Sequence, residues 1–277
     1  MKTILFPTDF SQSTTPALAW VKMLAHQYKA TLTLLHVYLP ALPIVPDPSL
    51  GGSISPETEL EIEEINRKQL DELGNTLRED GLTVQTNWQI GNVDEQILNV
   101  AHDVQADLIV TGRRDLTSFF DRITGTYASD VAKKATCPVL IVPDSAATES
   151  LQLKKIAYST QLEEDDRATL RSALTLANEF NASLQLIHIN ADNQPNVFNN
   201  DDMLADLRHE FGESAFGIDY VTARTVSDGL TDYLDKHPTD LLVMTTRKRD
   251  FLDSLLKPSI TGRMLTHSSV PLLVYHA

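Results

Sequence analysis

Three short stretches of this sequence carry side chains suited to holding a small polar ligand. The first is Pro7-Thr8-Asp9, which ends an apolar run. A carboxylate there can accept hydrogen bonds from an adenine amino group or from ribose hydroxyls. It can equally cap a helix expected to start near Ser11 or Ser13. The second stretch is Thr111-Gly112, where a glycine lets backbone N–H groups come close to an anion. The third is Thr124-Gly125-Thr126-Tyr127. A glycine followed by a hydroxyl residue at a helix start can seat a phosphate through N–H groups and the helix dipole. An ordinary N-cap by Thr124 or Thr126 would use the same residues. The usual catalytic signatures are missing: there is no G-x-x-x-x-G-K-[ST] loop, no G-x-S-x-G elbow and no H-E-x-x-H helix.

The elements that must position these residues occur twice. A shift of 152 residues lays LFPTDF (5–10) on AYSTQL (157–162), and KATLTLLHVY (29–38) on NASLQLIHIN (181–190). At a different shift ADLIVTGRRD (106–115) falls on TDLLVMTTRK (239–248), and CPVLIVP (137–143) on VPLLVYH (270–276). Same order and same apolar positions mark an internal duplication. Each copy reads as strands alternating with helices. In the first copy, helices are expected over 13–28, 57–79, 93–104 and 125–135, between short apolar or alternating strands. That order predicts parallel βαβ units, with helices on both faces of each sheet. Ligands in such sheets bind beyond the carboxyl ends of the strands, at the point where the strand order reverses. His36 and His188 fall at matching positions near the ends of the second strand of each copy. Their symmetry points to a structural role.

A short polar link, DSAATESLQL (144–153), separates the copies. The stretch 39–56 is rich in Pro and Gly and reads as a loop on the ligand side, either a flap or a plain variable connection. The 277 residues carry 23 basic and 38 acidic side chains, a net charge of −15. The acidity is shared: the first 146 residues hold 11 basic and 19 acidic side chains, the rest 12 and 19. This balance argues against nucleic-acid binding and against docking on anionic membranes. No run approaches the ~20 apolar residues of a membrane helix, and the start lacks the pattern of a signal peptide, so a cytoplasmic location is expected. The single Cys137 excludes an internal disulfide and a cysteine zinc cluster, and its apolar context suggests a small buried residue.

Gly112-Arg113-Arg114-Asp115 is followed by nine residues and then Gly125-Thr126. With Asp9 and the closing Cys137-Pro138-Val139 stretch, this resembles the universal stress protein (UspA) family. Nucleotide-binding members of that family carry a first-strand Asp and the pattern G-x-x-G-x9-G-[ST]. The resemblance covers both copies. It implies an α/β fold of two tandem Rossmann-like domains of the adenine nucleotide alpha hydrolase-like type, at 1–146 and 151–277. Each would hold a five-stranded, mostly parallel sheet flanked by helices.

The resemblance also implies a ligand: ATP, ADP or AMP in the first domain, with Mg accompanying ATP. Pro7, Thr8 and Asp9 would lie beside the adenosine, and Val37 would pack on the base. Thr111 and Gly112 would line the ribose or phosphates. Gly125, Thr126 and Tyr127 would hold the phosphates. Asp115 stands where the family pattern has its second glycine. A like charge at ~4 Å from a phosphate costs about 1 kcal/mol even when well screened. Arg113 and Arg114 could offset it, or could be solvated surface residues.

In the second copy Gln161 replaces Asp9, Thr245 replaces Gly112, and Arg263 replaces the hydroxyl residue after Gly262. No family-type site is expected there. Arg247-Lys248-Arg249 could bind an isolated anion or form a solvated loop. Family members commonly pair through their last strands, so PVLIVP and PLLVYH are expected to meet within one chain. Assembly of two chains into a homodimer stays compatible with this. The expected role is a stress-response nucleotide-binding or sensing protein with an unidentified protein partner, not a conventional enzyme. The alternatives are an interaction module without nucleotide, and a very slow ATPase.

Overall fold

The computed structural model describes residues 1–40, 55–113, 127–146, 151–164, 166–192, 201–246 and 270–276. Gly125, Thr126, Arg114, Asp115, Gly262, Arg263, the run 247–249 and most of the Pro- and Gly-rich stretch lie outside the described residues.

The first copy runs β1 (Thr3–Pro7), α1 (Thr15–Tyr28), β2 (Thr31–Tyr38), α2 (Pro56–Glu79), β3 (Thr83–Ile90), α3 (Val93–Asp103), β4 (Leu108–Arg113), α4 (Tyr127–Lys134) and β5 (Val139–Pro143). The second runs β6 (Lys155–Ser159), α5 (Asp166–Phe180), β7 (Ser183–Ala191), α6 (Asp201–Phe211), β8 (Gly217–Ala223), α7 (Val226–Lys236), β9 (Leu241–Thr246) and β10 (Leu272–His276). Local chemistry sets the helix ends. Ser55, Asn92 and Thr225 cap α2, α3 and α7 by accepting from Thr58 N, Glu95 N and Asp228 N. Lys29 and Asn181 adopt left-handed conformations (φ 49° and 52°) at the same point of the two copies, just after α1 and α5.

The strands form one continuous ten-stranded sheet in the order β3-β2-β1-β4-β5-β10-β9-β6-β7-β8. Every neighbouring pair is parallel except β5 and β10, which run antiparallel with Leu140 opposite Leu273. The five-stranded sheets read from the sequence are thus halves of one sheet, joined at their last strands. The strand order reverses between β1 and β4 in one half and between β6 and β9 in the other.

The two faces of the sheet are buried differently. On one face α1, α2, α5 and α6 cover a single core that crosses the seam, from Leu70 and Trp20 to Leu170 and Leu207. On the other, α3 and α4 bury Leu5, Leu35, Ile109 and Ile141, while α7 covers a separate cluster around Ile187 and Leu242. Strand alternation decides which face each residue sees. Cys137 is half-buried at the edge of the α3/α4 cluster, and burial pushes its thiol up to about 11, so it stays protonated and unreactive near neutral pH.

Candidate functional site

In sheets of this kind a ligand crevice is expected where the strand order reverses, here at the carboxyl ends of β1 and β4. Alternation puts Pro7, Val37 and Thr111 on the same face as Leu5, Leu35 and Ile109, the α3/α4 face. All three are half-buried at the ends of adjacent strands. Gly112 and Arg113 continue β4, in register with Val142 and Pro143. The Thr111 hydroxyl donates to Gly112 O at 3.2 Å. Helix α4 packs Ala128, Val131 and Ala132 on this same face and begins at Tyr127, which is 52% exposed. Its start lies on the crevice side, because the chain enters α4 from the end of β4. The structure thus gathers Pro7, Asp9, Val37, Thr111, Gly112, Arg113 and Tyr127 at one end of the sheet.

The loop after β1 is held by its own polar atoms. Thr8 is buried; its N–H donates to Leu35 O at 2.8 Å and its Oγ1 accepts from Phe10 N at 3.0 Å. These bonds hold Phe10 at φ 59°, a left-handed conformation that is strained for a non-glycine residue. The Thr8 side chain therefore serves the loop. Asp9 is exposed, and its Oδ1 accepts from Ser11 N at 3.0 Å and Ser11 Oγ at 2.5 Å, an Asx turn. The N-cap of α1 is Thr14, so Asp9 is not the helix cap that its position also allowed. Arg113 is 8% exposed, which sets aside the solvated-surface alternative for it; its carbonyl accepts from Asp144 N at 2.9 Å.

His36 faces the opposite side of the sheet from Val37. Its Nδ1 lies 2.8 Å from Thr8 O and takes the donor role there, and its ring stacks on Phe10 at 4.6 Å. His188 makes the same contact with Thr160 O at 3.2 Å. The two histidines pin equivalent loops, which is the structural role their symmetry suggests. Burial holds the His36 imidazole below its ordinary 6.5, although the Thr8 carbonyl and Asp9 pull upward. A depressed base stays neutral in the fold while the unfolded chain takes up a proton. Stability is therefore full above about 6.5 and falls as the pH drops below it. In a His36→Gln variant, chemical denaturation at stepped pH is expected to show a shallower loss of stability on acidification. An identical slope would mean that His36 does not titrate as the structure implies.

In the second copy the loop after β6 is tied to the start of α5. Asp166, the first residue of α5, is 6% exposed and sends its Oδ2 back into the loop after β6. It accepts from Thr160 Oγ1 at 2.7 Å, Gln161 N at 3.1 Å and Glu163 N at 3.2 Å. Beside it Tyr158, fully buried, shares a 2.9 Å hydrogen bond with Thr245 Oγ1, the residue standing where the first copy has Gly112. Burial raises the Asp166 carboxyl above its ordinary value, against the pull of these donors. The loss of Asp9 at Gln161 was legible in the sequence. Asp166 was not, because its counterpart by the repeat is Thr14 and nothing marks it as reaching backwards. Its one signal is an acid at the start of a helix.

Comparison with known proteins agrees with the duplication. The universal stress protein family matches residues 1–143 and again residues 152–276. A universal stress protein of Thermus aquaticus is 33% identical over 141 residues, which make up 51% of this chain and 98% of that one. One from Bacillus subtilis is 30% identical over 145 residues, 50% of this chain and 97% of that one. These relatives are each about as long as one copy. The crystal structure of a universal stress protein from Archaeoglobus fulgidus covers 99% of this chain and 96% of its own, with TM-score 0.78 at 15% identity, a likeness of fold across both copies. With two complete matches in tandem and a fold shared end to end, this chain belongs to the universal stress protein family.

Proposed function

We propose that the first copy binds an adenine nucleotide and that the chain acts as a ligand-dependent sensor, with the second copy as scaffold. The observation that carries this reading is the contrast between two equivalent crevices. In the first, Pro7, Val37 and Thr111 share one face at the strand reversal, with the exposed Asp9 carboxylate beside them. In the second, the equivalent positions Ser159, Ile189 and Met244 are buried at the α7 face, and Gln161 stands in place of Asp9. Asp9 would accept from the adenosine, Val37 would pack on the base, and Thr111 and Gly112 would line the ribose. Arg113 and the start of α4, preceded in the chain by Gly125 and Thr126, would face the phosphates. Mg would arrive with ATP.

Division of the chain into units 1–146 and 151–277 belongs to the same proposal. The antiparallel β5–β10 seam would let one polypeptide reproduce a pair of family units. Hydrolysis, if any, would be slow, since among the described residues no lysine or general base is placed for the terminal phosphate. A second reading, an interaction module without nucleotide, is favoured by Asp115 where the phosphate loop wants glycine. Isothermal titration of the purified full chain with ATP and with AMP separates the two. Saturating heat at or below millimolar nucleotide, with one site per chain, is expected. No heat with either nucleotide would leave the interaction module standing, and two sites per chain would contradict the proposed loss of the site in the second copy.

A further inference from the structure

Asp9, the residue proposed to meet the adenosine, stands between two neighbours that one buried histidine holds. His36 Nδ1 donates to Thr8 O at 2.8 Å, and the His36 ring stacks on Phe10 at 4.6 Å, 19° from parallel. Phe10 keeps a left-handed φ of 59°, which a non-glycine residue adopts only when its surroundings hold it there. The Phe10 N–H bond to Thr8 Oγ1 and the ring stack supply that hold. The grip comes through the sheet. His36 packs between Phe10 and Trp88 on the α1/α2 face, whereas Val37 lies on the α3/α4 face. The second copy differs here. His188 keeps the bond to Thr160 O, but Leu162 stands where the first copy has Phe10, and Gln161 where it has Asp9. The ring stack has gone together with the carboxylate.

His36 fits this place only as a neutral ring. Thr8 O is an acceptor, so Nδ1 carries the proton and Nε2 a lone pair. Nε2 is covered from water and has no hydrogen-bond partner among the described residues. A second proton there would make a charged N–H that faces no acceptor, which burial disfavours. The elements around the ring do little to balance it. β1 and β3 bring no ionisable carboxylate or amine. α1 turns Ala17, Trp20 and Val21 inward, and its Lys22 pairs with Asp80. α2 brings Glu59, Glu63 and Arg67. Arg67 pairs with Glu63 at 2.8 Å and lies over the Trp88 ring at 4.3 Å, while Glu59 accepts from the Tyr38 hydroxyl. The charge that favours a proton on His36 is Asp9. An imidazolium therefore leaves the Phe10 stack for solvent or draws Asp9 toward itself, and either movement takes the carboxylate away from a ligand.

We infer that His36 is a positioning residue for the nucleotide site: uncharged, it fixes Thr8 and Phe10 from the far face of the sheet and so aims Asp9, and a proton on its ring releases that carboxylate. This rests on the nucleotide reading of the first copy and adds to it a proton that competes with the ligand.

The test is titration calorimetry of the full chain with AMP from about pH 8 to about pH 5, the span where histidine changes charge. The phosphate's own titration acts on every variant alike, so the comparison between variants carries the result. Relative to His36→Asn, which cannot take up a proton, the native chain should lose roughly threefold or more in affinity toward the acid end. His36→Asn places an amide N–H near the position of Nδ1. His36→Phe keeps a ring on Phe10 but loses the donor, and at about pH 8 it should bind AMP roughly fivefold more weakly than the native chain. The Asn variant should lie between the two. Melting temperatures of both variants show whether the fold survives. In the native chain the His36 ring, followed by NMR, should titrate at lower pH with AMP bound than without, because the coupling is reciprocal. Native and Asn affinities that fall in parallel, a ring whose titration ignores AMP, or a folded His36→Phe variant with native affinity would overturn this assignment while the nucleotide reading stands. No heat with AMP or ATP at about pH 8 would overturn both.

Discussion

Replacing Asp166 with alanine is expected to destabilise the whole chain by about 2–4 kcal/mol. The carboxylate satisfies Thr160 Oγ1, Gln161 N and Glu163 N, and Thr160 itself is only 2% exposed. Alanine leaves those donors without an acceptor, each costing roughly 1–3 kcal/mol where water cannot reach, less where it can. Gln161 and Glu163 are half-buried, so the lower part of the range applies to them. Because α5 packs into the core that crosses the seam, the loss should be felt in global unfolding. Denaturant melts of the variant should show a lower midpoint with little change in slope.

Asp166→Asn separates hydrogen bonding from charge. It keeps an acceptor for the same donors and removes the ionised group that burial disfavours. A carboxyl whose folded pKa is raised binds its proton more tightly in the fold than in the unfolded chain. Its contribution is therefore full at low pH and is lost as the pH rises from about 3.8 through the folded value. At neutral pH the Asn variant should lie within about 1 kcal/mol of the native protein, far above Ala. If Asn and Ala are equally destabilised, the donors are not what Asp166 serves. If Ala costs under about 0.5 kcal/mol, as at an ordinary surface site, the Asp166 bonds to the loop after β6 have no energetic weight.

The duplication, the strands and the helices were legible because they rest on local periodicity: TLTLLHVY and SLQLIHIN repeat the same apolar positions, and the described elements fall close to where those patterns place them. The placement of Pro7, Val37 and Thr111 on one face was within reach too, since parallel order and alternation determine it. What the sequence hid depends on contacts between distant or inequivalent positions. The bonds of Thr8 to Phe10 and Leu35 were hidden, because a hydroxyl at a strand end does not declare its partner. Arg113 was open between surface and site, and only the packed structure shows it buried.

Asp9→Ala is expected to weaken ATP and AMP by the same factor, roughly 10–100-fold, the loss of hydrogen bonds to a charged acceptor. The equality follows from where Asp9 sits. It follows β1 directly, on the adenosine side of the proposed site, and both nucleotides share that part. Asp9 also accepts from Ser11 N and Oγ, so the substitution loosens the loop; being exposed, it should cost the fold under about 1 kcal/mol. Asp9→Asn keeps an acceptor for Ser11 and removes only the charge, so an intermediate loss separates ligand contact from loop support. Asp115→Gly makes the complementary change. It removes a negative charge from the stretch where the family pattern has glycine, and the repulsion it relieves grows with the number of phosphates. It should therefore tighten ATP more than AMP, while Asp9→Ala leaves their ratio unchanged. Titration calorimetry of both variants with both nucleotides reads the two ratios directly. An Asp9→Ala variant that loses ATP but keeps AMP would place the carboxylate at the phosphates and reverse the orientation proposed for the ligand. Unchanged affinity for both would remove Asp9 from the site, and with it the residue that most distinguishes the first crevice from the second.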